Sequence, residues 1–285
     1  MDFVIPEDQL PDGFAGSVDE PPARPVPARP AATVVLMRDA DHGLEVLLLK
    51  RVRSSGFVPG AWVFPGGRVD AADASREVLE RTPGLTLSQA ATRLNLADDD
   101  TPAVAYYLAA LREAFEETGI LVGRSASGDR MATAHAEPGV RDARERLLAG
   151  TCSFAEALKD LGAFLDSTAM EYIAHWITPT VEPRRYDTRF FAAAVDQAAV
   201  PAIHEEEMTQ ALWIAPREAL ERSEAGSLPM VFPTLKTLEA LAGFDGTASL
   251  LQDFRSRTIP SILPRLIRTA EGITLRIPEI IPEGG

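Results

Sequence analysis

Alternating runs of hydrophobic and polar residues divide this chain into predicted strands and helices. Two apolar runs, 33–37 and 44–49, flank a polar bend and predict two neighbouring strands. Further strands are predicted at 61–64, 120–122, 172–178, 188–195 and 211–214, and helices within 74–100, at 101–119, 139–149 and 153–165, and after Pro216 and Pro233. The clearest helix is 101–119, because Thr101 and Pro102 are typical of a helix start and Gly119 of a helix end.

The two ends of the chain differ from its centre. Residues 1–30 are rich in proline and acidic side chains, and such a segment buries too little apolar surface to offset its chain entropy. We therefore expect an extended or disordered arm over 1–30, one domain over 31–245, and a C-terminal helical extension over 246–285 packed on that domain.

Composition excludes several classes of partner. The 285 residues are 46% hydrophobic, enough for a large core, and their net charge of −14 repels nucleic acid and anionic lipid. No apolar run approaches the roughly 20 residues that cross a bilayer. Cys152 is the single cysteine, which rules out an internal disulfide and, without paired Cys/His tracts, a structural zinc site. These features predict a cytoplasmic protein, and leave a homodimer open.

Three glutamates share one face of the predicted helix over 101–119: Glu113, Glu116 and Glu117. Leu108, Leu111 and Phe115 lie on the roughly opposite face, which predicts that they pack against a core. Carboxylates this close repel one another unless a cation lies among them, and a hard divalent ion prefers oxygen ligands. An isolated E-x-x-E-E is also ordinary on a solvated helix face. Arg112 is placed to form an i,i+4 pair with Glu116.

The longer sequence context favours the metal interpretation. Residues 112–120 resemble the second half of the Nudix box of the Nudix hydrolase family, R-E-apolar-x-E-E-x-G-apolar, and 65–73 resemble its first half. Gly67 corresponds to the opening glycine, and Asp73 stands where the family usually has Glu. The box is split by an insertion over about 74–100, which can loop out because loop closure becomes only slowly costlier with length. The resemblance implies an α/β fold, the Nudix α/β/α sandwich with a mixed sheet, elaborated by the insertion and extra helices.

Segments outside the box narrow the resemblance. Residues 57–73, 176–179 and 184–191 are similar to a Nudix subgroup of coenzyme A diphosphatases. This implies an enzyme that hydrolyses a diphosphate linkage in a small molecule, with coenzyme A or acyl-CoA as substrate. Gly56 stands where related coenzyme A enzymes carry arginine, so a dinucleotide or an ADP-sugar is the alternative substrate. A non-catalytic Nudix-like nucleotide-binding regulator is a second alternative.

The resemblance also implies a metal site and a catalytic set. It assigns Mg²⁺ or Mn²⁺ to the carboxylates of Glu113, Glu116 and Glu117 and to the backbone carbonyl of Gly67. The catalytic set comprises Glu113, Arg112 and a carboxylate from a downstream loop, with Glu207 the first choice and Glu206 the second. A solvated acidic loop is the alternative interpretation of these last two residues. Asp73 is expected to brace the glycine turn or to act outside the first ligand sphere.

The substrate's negative charge requires positive side chains around the site. Four arginines are candidates for binding the phosphates: Arg51, Arg53, Arg184 and Arg185. For each of them a surface ion pair is the alternative. Phe57 is a candidate for stacking on the adenine, whereas Trp62 and Trp176 are expected to pack in the core.

Overall fold

A computed structural model describes residues 3–5, 18–20, 22–53, 59–96, 101–131, 133–269 and 272–277. Its strands are β1 (Phe3–Ile5), β2 (Arg29–Ala40), β3 (Gly43–Arg51), β4 (Trp62–Val63), β5 (Gly66–Arg68), β6 (Gly123–Ser125), β7 (Ala163–Leu165), β8 (Met170–Ile177), β9 (Tyr186–Ala194), β10 (Met208–Ile214), β11 (Ser261–Ile262), β12 (Arg265–Thr269) and β13 (Gly272–Arg276). Its α-helices are α1 (Arg76–Leu79), α2 (Leu87–Leu94), α3 (Ala103–Thr118), α4 (Pro138–Leu148), α5 (Phe154–Asp160), α6 (Pro216–Glu224), α7 (Phe232–Leu241) and α8 (Thr247–Ser256).

A mixed sheet forms the centre of the fold. Its strands run in the order β10-β3-β2-β9-β8-β11, with β4 paired to β3 and β5 paired to β2. The pairs β2·β9 and β8·β11 are parallel, and the other pairs are antiparallel. Val34, Val35, Leu36 and Met37 of β2 are fully buried, which explains why this strand is a continuous apolar run rather than an alternating one.

Helices cover both faces of the sheet. On one face, Leu108, Leu111 and Phe115 of α3 lie in the same core cluster as β2, and each buried side chain contributes about 1.5–3 kcal/mol to folding. On the other face, α6, α7 and α8 supply a second cluster that contains both Trp62 and Trp176. The predicted α/β/α sandwich and the predicted core face of α3 are therefore confirmed.

The insertion folds back onto the domain. A 3-10 turn (Ala71–Ala74) leads into it, and it holds α1 and α2. Thr86 caps α2 by accepting a hydrogen bond from the backbone N–H of Gln89. Arg93 of α2 bonds the carboxylate of Glu171 and the carbonyl of Phe254. Because these partners belong to β8 and α8, the insertion is anchored at the sheet edge.

Several predicted elements are wrong in type or length. The run 120–122 is buried coil rather than a strand, because its apolar side chains enter the core directly after α3. The helix predicted over 153–165 ends at Asp160, since Gly162 takes a positive φ of 61° and the next residues form β7. The strongest helix begins at Ala103, with Pro102 rather than Thr101 at its cap.

The predictions for the chain ends are corrected in part. Within its described residues, 246–269 and 272–277, the predicted C-terminal helical extension contains one helix, α8, followed by β11, β12 and β13, where β-branched residues favour strands. Within the predicted arm, β1 pairs antiparallel with β13, so Phe3–Ile5 belongs to a small sheet. Residues 1–2, 6–17 and 21 of the arm lie outside the described residues. Among those that are described, no helix combines the length and apolar character needed to cross a membrane.

Candidate active site

The Gly-Gly strand β5 lies against the acidic helix α3. Gly67 pairs with Ala32 of β2, and the backbone N–H of Gly66 donates a hydrogen bond of 3.1 Å to Oε2 of Glu117. A side-chain carbon built on Gly67 would overlap the carboxylate of Glu113, so glycine at this position lets that carboxylate reach the backbone. The two halves of the split box therefore meet, as the sequence predicted.

Arg112 connects the glycine turn to the glutamates. Its Nε and Nη2 donate to the two carboxylate oxygens of Asp73 at 2.7 and 3.1 Å, and its Nη1 donates to Glu113 at 2.9 Å and to Glu116 at 3.1 Å. Asp73 is only 2% exposed and also accepts from the backbone N–H of Asp70. The predicted Arg112–Glu116 pair is confirmed. Bracing of the glycine turn by Asp73 stays a prediction, since its bonds run to Arg112 and to the N–H of Asp70. Such a fork of charge-assisted bonds holds the guanidinium in one orientation.

Negative charge exceeds positive charge at this site. Burial raises the pKa of Glu113 to about 7, although Arg112 opposes that shift. The pKa of Glu117 is raised well above its usual range, mainly because the carboxyl is buried and secondly because Glu113 is negatively charged. Burial also raises the pKa of Glu116. A single guanidinium is shared by the carboxylates of Asp73, Glu113 and Glu116. The charged forms of these carboxylates therefore lack a full complement of counter-charge.

Arg144 of α4 binds the C-terminal end of α3. Its Nε lies 3.0 Å from the carbonyl oxygen of Phe115, and its Nη2 lies 2.7 Å from that of Glu116. Carbonyls in the last turn of a helix have no partner within the helix. Arg144 satisfies the carbonyl of Glu116 from outside, and it shares the carbonyl of Phe115 with the backbone N–H of Gly119.

The downstream acidic loop is also attached to this end of α3. The backbone N–H of His204 donates to the carbonyl of Glu117 at 3.1 Å, and that of Ala202 donates to the carbonyl of Thr118 at 2.7 Å. These bonds position the segment that leads into β10, and with it Glu207.

The two loop glutamates differ in their surroundings. The charge of Glu207 contributes to the raised pKa of both Glu116 and Glu117. The side chain of Glu206 is 90% exposed, and its carboxylate lies 3.9 Å from His204. This difference favours Glu207, the first choice from the sequence, as the loop carboxylate that faces α3.

The four candidate arginines divide between two places. Arg51 is the last residue of β3. Its positive charge opposes the rise in the pKa of Glu117, so Arg51 lies on the same side of the sheet as the glutamates. Arg53 is an exposed residue just beyond the end of β3. Arg184 and Arg185 precede β9, on the opposite edge of β2 from β5. Phe57 lies outside the described residues.

Arg185 is bound to the backbone around it. Its guanidinium donates to the backbone carbonyls of Thr178, Pro179 and Val26 at 2.7–3.1 Å. These bonds hold the turn before β9 and give Arg185 a structural role, while its contact with phosphate stays a prediction.

The donors at this site fit a hard divalent cation. Carboxylate and carbonyl oxygens are the ligands that Mg²⁺ prefers, and the excess of negative charge would be offset by a bound cation. In the described part of the chain, no group of three or more Asp, Glu, His or Cys side chains is arranged so that it could hold a metal ion. In this arrangement Arg112 bonds the carboxylates of Glu113 and Glu116, and the N–H of Gly66 bonds that of Glu117.

Two contributors to the site were missed in the sequence. Gly66 donates to Glu117 through its backbone, and the Gly-Gly pair that marked Gly67 was the available signal for it. Arg144 gave no signal, because it is one of several charged residues in a helix far along the chain from α3.

Comparison with known proteins identifies the family. The family model for the NUDT19 Nudix domain matches residues 23–241, and the chain therefore belongs to the Nudix family. A NUDIX hydrolase from Alicyclobacillus acidocaldarius superposes with a TM-score of 0.66 at 32% identity, covering 80% of this chain and 96% of that one. The acyl-coenzyme A diphosphatase NUDT19 of Gallus gallus is 29% identical over 276 residues, covering 84% of this chain and 73% of that protein. The Homo sapiens protein of the same name is 28% identical, covering 90% of this chain and 74% of that protein.

Proposed function

We propose that this Nudix hydrolase cleaves the diphosphate linkage of coenzyme A or an acyl-CoA with the help of Mg²⁺ or Mn²⁺. The observation that carries the proposal is the contact between β5 and α3, in which Gly66 bonds Glu117 and Gly67 leaves room for Glu113. Its similarity to the acyl-coenzyme A diphosphatases of chicken and human supports the choice of substrate.

The proposed cation ligands are the carboxylates of Glu113, Glu116 and Glu117 and the backbone carbonyl of Gly67. When bound, the cation neutralises charge on the diphosphate oxygens and makes water a better nucleophile. Arg112 orients two of these carboxylates through its fork of hydrogen bonds.

The proposed proton acceptor is Glu207. Its carboxylate is close enough to perturb Glu116 and Glu117, and it extends from a loop that is hydrogen-bonded to the end of α3. A carboxylate in that position takes the proton from water as the oxygen attacks phosphorus, and the bridging oxygen then leaves with the electrons of the broken P–O bond. Arg51, on the same side of the sheet, is proposed to contact the phosphates.

Charge-neutral variants test the metal assignment. Glu116→Gln and Glu117→Gln are expected to lose turnover that depends on Mg²⁺ or Mn²⁺ while keeping the wild-type circular dichroism spectrum. Glu224→Gln, at the exposed end of α6, is the matched control and is expected to keep full activity. Full activity in both site variants would refute the assignment.

A substrate panel tests the choice of diphosphate. Coenzyme A and an acyl-CoA are expected to be cleaved to a 4'-phosphopantetheine fragment and 3',5'-adenosine bisphosphate, and to be preferred by kcat/KM over NADH and ADP-ribose. A clear preference for ADP-ribose or NADH would reverse this assignment. Cation binding without turnover of any member of the panel would instead indicate a nucleotide-binding regulator.

Glu207→Gln and Glu206→Gln separate the two loop residues. The first variant is expected to lower kcat by roughly 100-fold or more, in the range of general-base contributions. The second is expected to retain wild-type kcat, since its carboxylate points into solvent. The reverse result would make Glu206 the proton acceptor.

A further inference from the structure

The end of α3 carries an unfavourable concentration of negative charge. Aligned peptide dipoles leave partial negative charge at the C-terminal end of a helix, where acidic side chains are disfavoured. Three glutamates nevertheless lie close to this end: Glu113, Glu116 and Glu117. The last turn of α3 contains no Lys or Arg of its own. Positive charge supplied from outside the helix would therefore stabilise this turn.

Arg144 provides this support from α4. Its Nε and Nη2 donate to the carbonyl of Glu116 at 2.9 and 2.7 Å, and Nε also lies 3.0 Å from the carbonyl of Phe115. The side chain is only 7% exposed, and its partners are backbone carbonyls rather than carboxylates. The guanidinium thus places a buried positive charge at the negative end of the helix.

The turn that Arg144 holds also fixes the acidic loop. The carbonyl of Glu117, one residue beyond the Arg144 contact, accepts the backbone N–H of His204. A change in this turn would displace the carboxylates of Glu116 and Glu117 together with the segment that carries Glu207.

We propose that Arg144 is a positioning residue that sets the spacing of the Glu116 and Glu117 carboxylates for a divalent cation. This inference rests on the proposed function, since it acts through the cation that the function requires. Arg144 itself bonds the backbone of α3 and acts on the site through Glu116. If Arg144 positions the carboxylates, its loss should weaken binding of the cation. If it acted only as a counter-charge, its loss should strengthen binding, because removing a nearby positive charge strengthens the attraction for a cation.

Two substitutions separate geometry from charge. Arg144→Met removes the hydrogen bonds and the charge, whereas Arg144→Lys keeps the charge but loses the planar fork that reaches two carbonyls at once. Arg146→Met is the control on the same helix, because Arg146 forms ion pairs with Asp142 and Asp160 at the surface.

The measurement is Mn²⁺ binding to the substrate-free protein by titration calorimetry, together with the melting temperature of each variant. We expect Mn²⁺ binding to weaken by about 10-fold in Arg144→Met, as for other residues that orient metal ligands, and to weaken by a smaller factor in Arg144→Lys. Arg146→Met is expected to bind Mn²⁺ like the wild type.

Each outcome is decisive. Binding by Arg144→Met that is equal to or tighter than wild type would overturn the inference. If Arg144→Met does not fold, Arg144→Lys decides, and unchanged Mn²⁺ affinity in that folded variant would overturn it. A wild-type protein that neither binds Mn²⁺ nor cleaves a diphosphate would refute the proposed function and this inference with it, whereas a failure confined to the variants refutes the inference alone.

Discussion

Replacing Glu113 by glutamine is expected to stabilise the metal-free protein at neutral pH. Burial raises the pKa of the Glu113 carboxyl from 4.5 to about 7, so the folded chain keeps its proton to a higher pH than the unfolded chain does. The stability that protonated Glu113 contributes to the folded state is fully present below pH 4.5 and is lost as the pH rises through 7. Glutamine has no proton to lose, and its side-chain oxygen can still accept the hydrogen bond from Arg112.

The size of this effect follows from the pKa difference. Each pKa unit corresponds to about 1.36 kcal/mol, so the shift of Glu113 amounts to about 3 kcal/mol between pH 4.5 and 7.5. The side chain is 14% exposed, which leaves little solvent screening to reduce this value. In a domain of this size, about 3 kcal/mol raises the melting temperature by roughly 6 °C.

The assay is urea unfolding in EDTA at a series of pH values from 5 to 8. The free energy of unfolding of Glu113→Gln is expected to exceed that of wild type by a margin that grows toward pH 7.5. Glu224→Gln serves as the control and is expected to follow wild type throughout. Parallel curves for wild type and Glu113→Gln would refute the reasoning, because the carboxyl would then titrate alike in the folded and unfolded chains.

Two further substitutions probe the geometry around Glu113, and a third probes the turn before β9. Gly67→Ala places a methyl group where the Glu113 carboxylate lies. Because that carboxylate is the movable end of a side chain, the stability measured by thermal melting should change by less than about 1 kcal/mol, while Mn²⁺ affinity should fall by about 10-fold. Wild-type Mn²⁺ affinity in this variant would contradict the expectation. Arg112→Lys breaks the fork to Asp73 and is expected to lower kcat more than it raises KM, as steady-state kinetics would reveal, and unchanged kcat would argue against a positioning role. Arg185→Ala should lower the free energy of unfolding in urea by about 1–3 kcal/mol without changing KM, whereas a raised KM would support the predicted contact of Arg185 with phosphate.

Local patterns accounted for the parts of the site that lie within one element. The three glutamates could be placed on one face of α3 because helix periodicity is a property of neighbouring residues. The strand 33–37 was likewise recognisable as an apolar run, since it is covered on both faces. The meeting of Gly67 with Glu113 was predicted through the family pattern, because the insertion separates the two residues in sequence.

Long-range partners were beyond the reach of sequence patterns. The apolar run 120–122 looks alike whether it is a strand or buried coil, and only the core around α3 decides between them. Arg185 and Arg144 both bond backbone carbonyls, which every residue possesses, so nothing in the sequence distinguishes them from surface arginines. Their roles follow from tertiary contacts alone.

The insertion has a consequence for how this enzyme tolerates change. The peptide link between the glycine strand and the acidic helix does not determine their alignment, because Arg112 bonds Asp73 and the carbonyl of Arg68 across the gap. The exposed sides of the intervening helices can therefore change, or acquire contacts with other molecules, while Val78, Ala90 and Leu94 stay in the core and the glycine strand keeps its place against the acidic helix. The sequence of the insertion can therefore change during evolution, provided that the hydrogen bonds of Arg112 to Asp73 and Arg68 are retained.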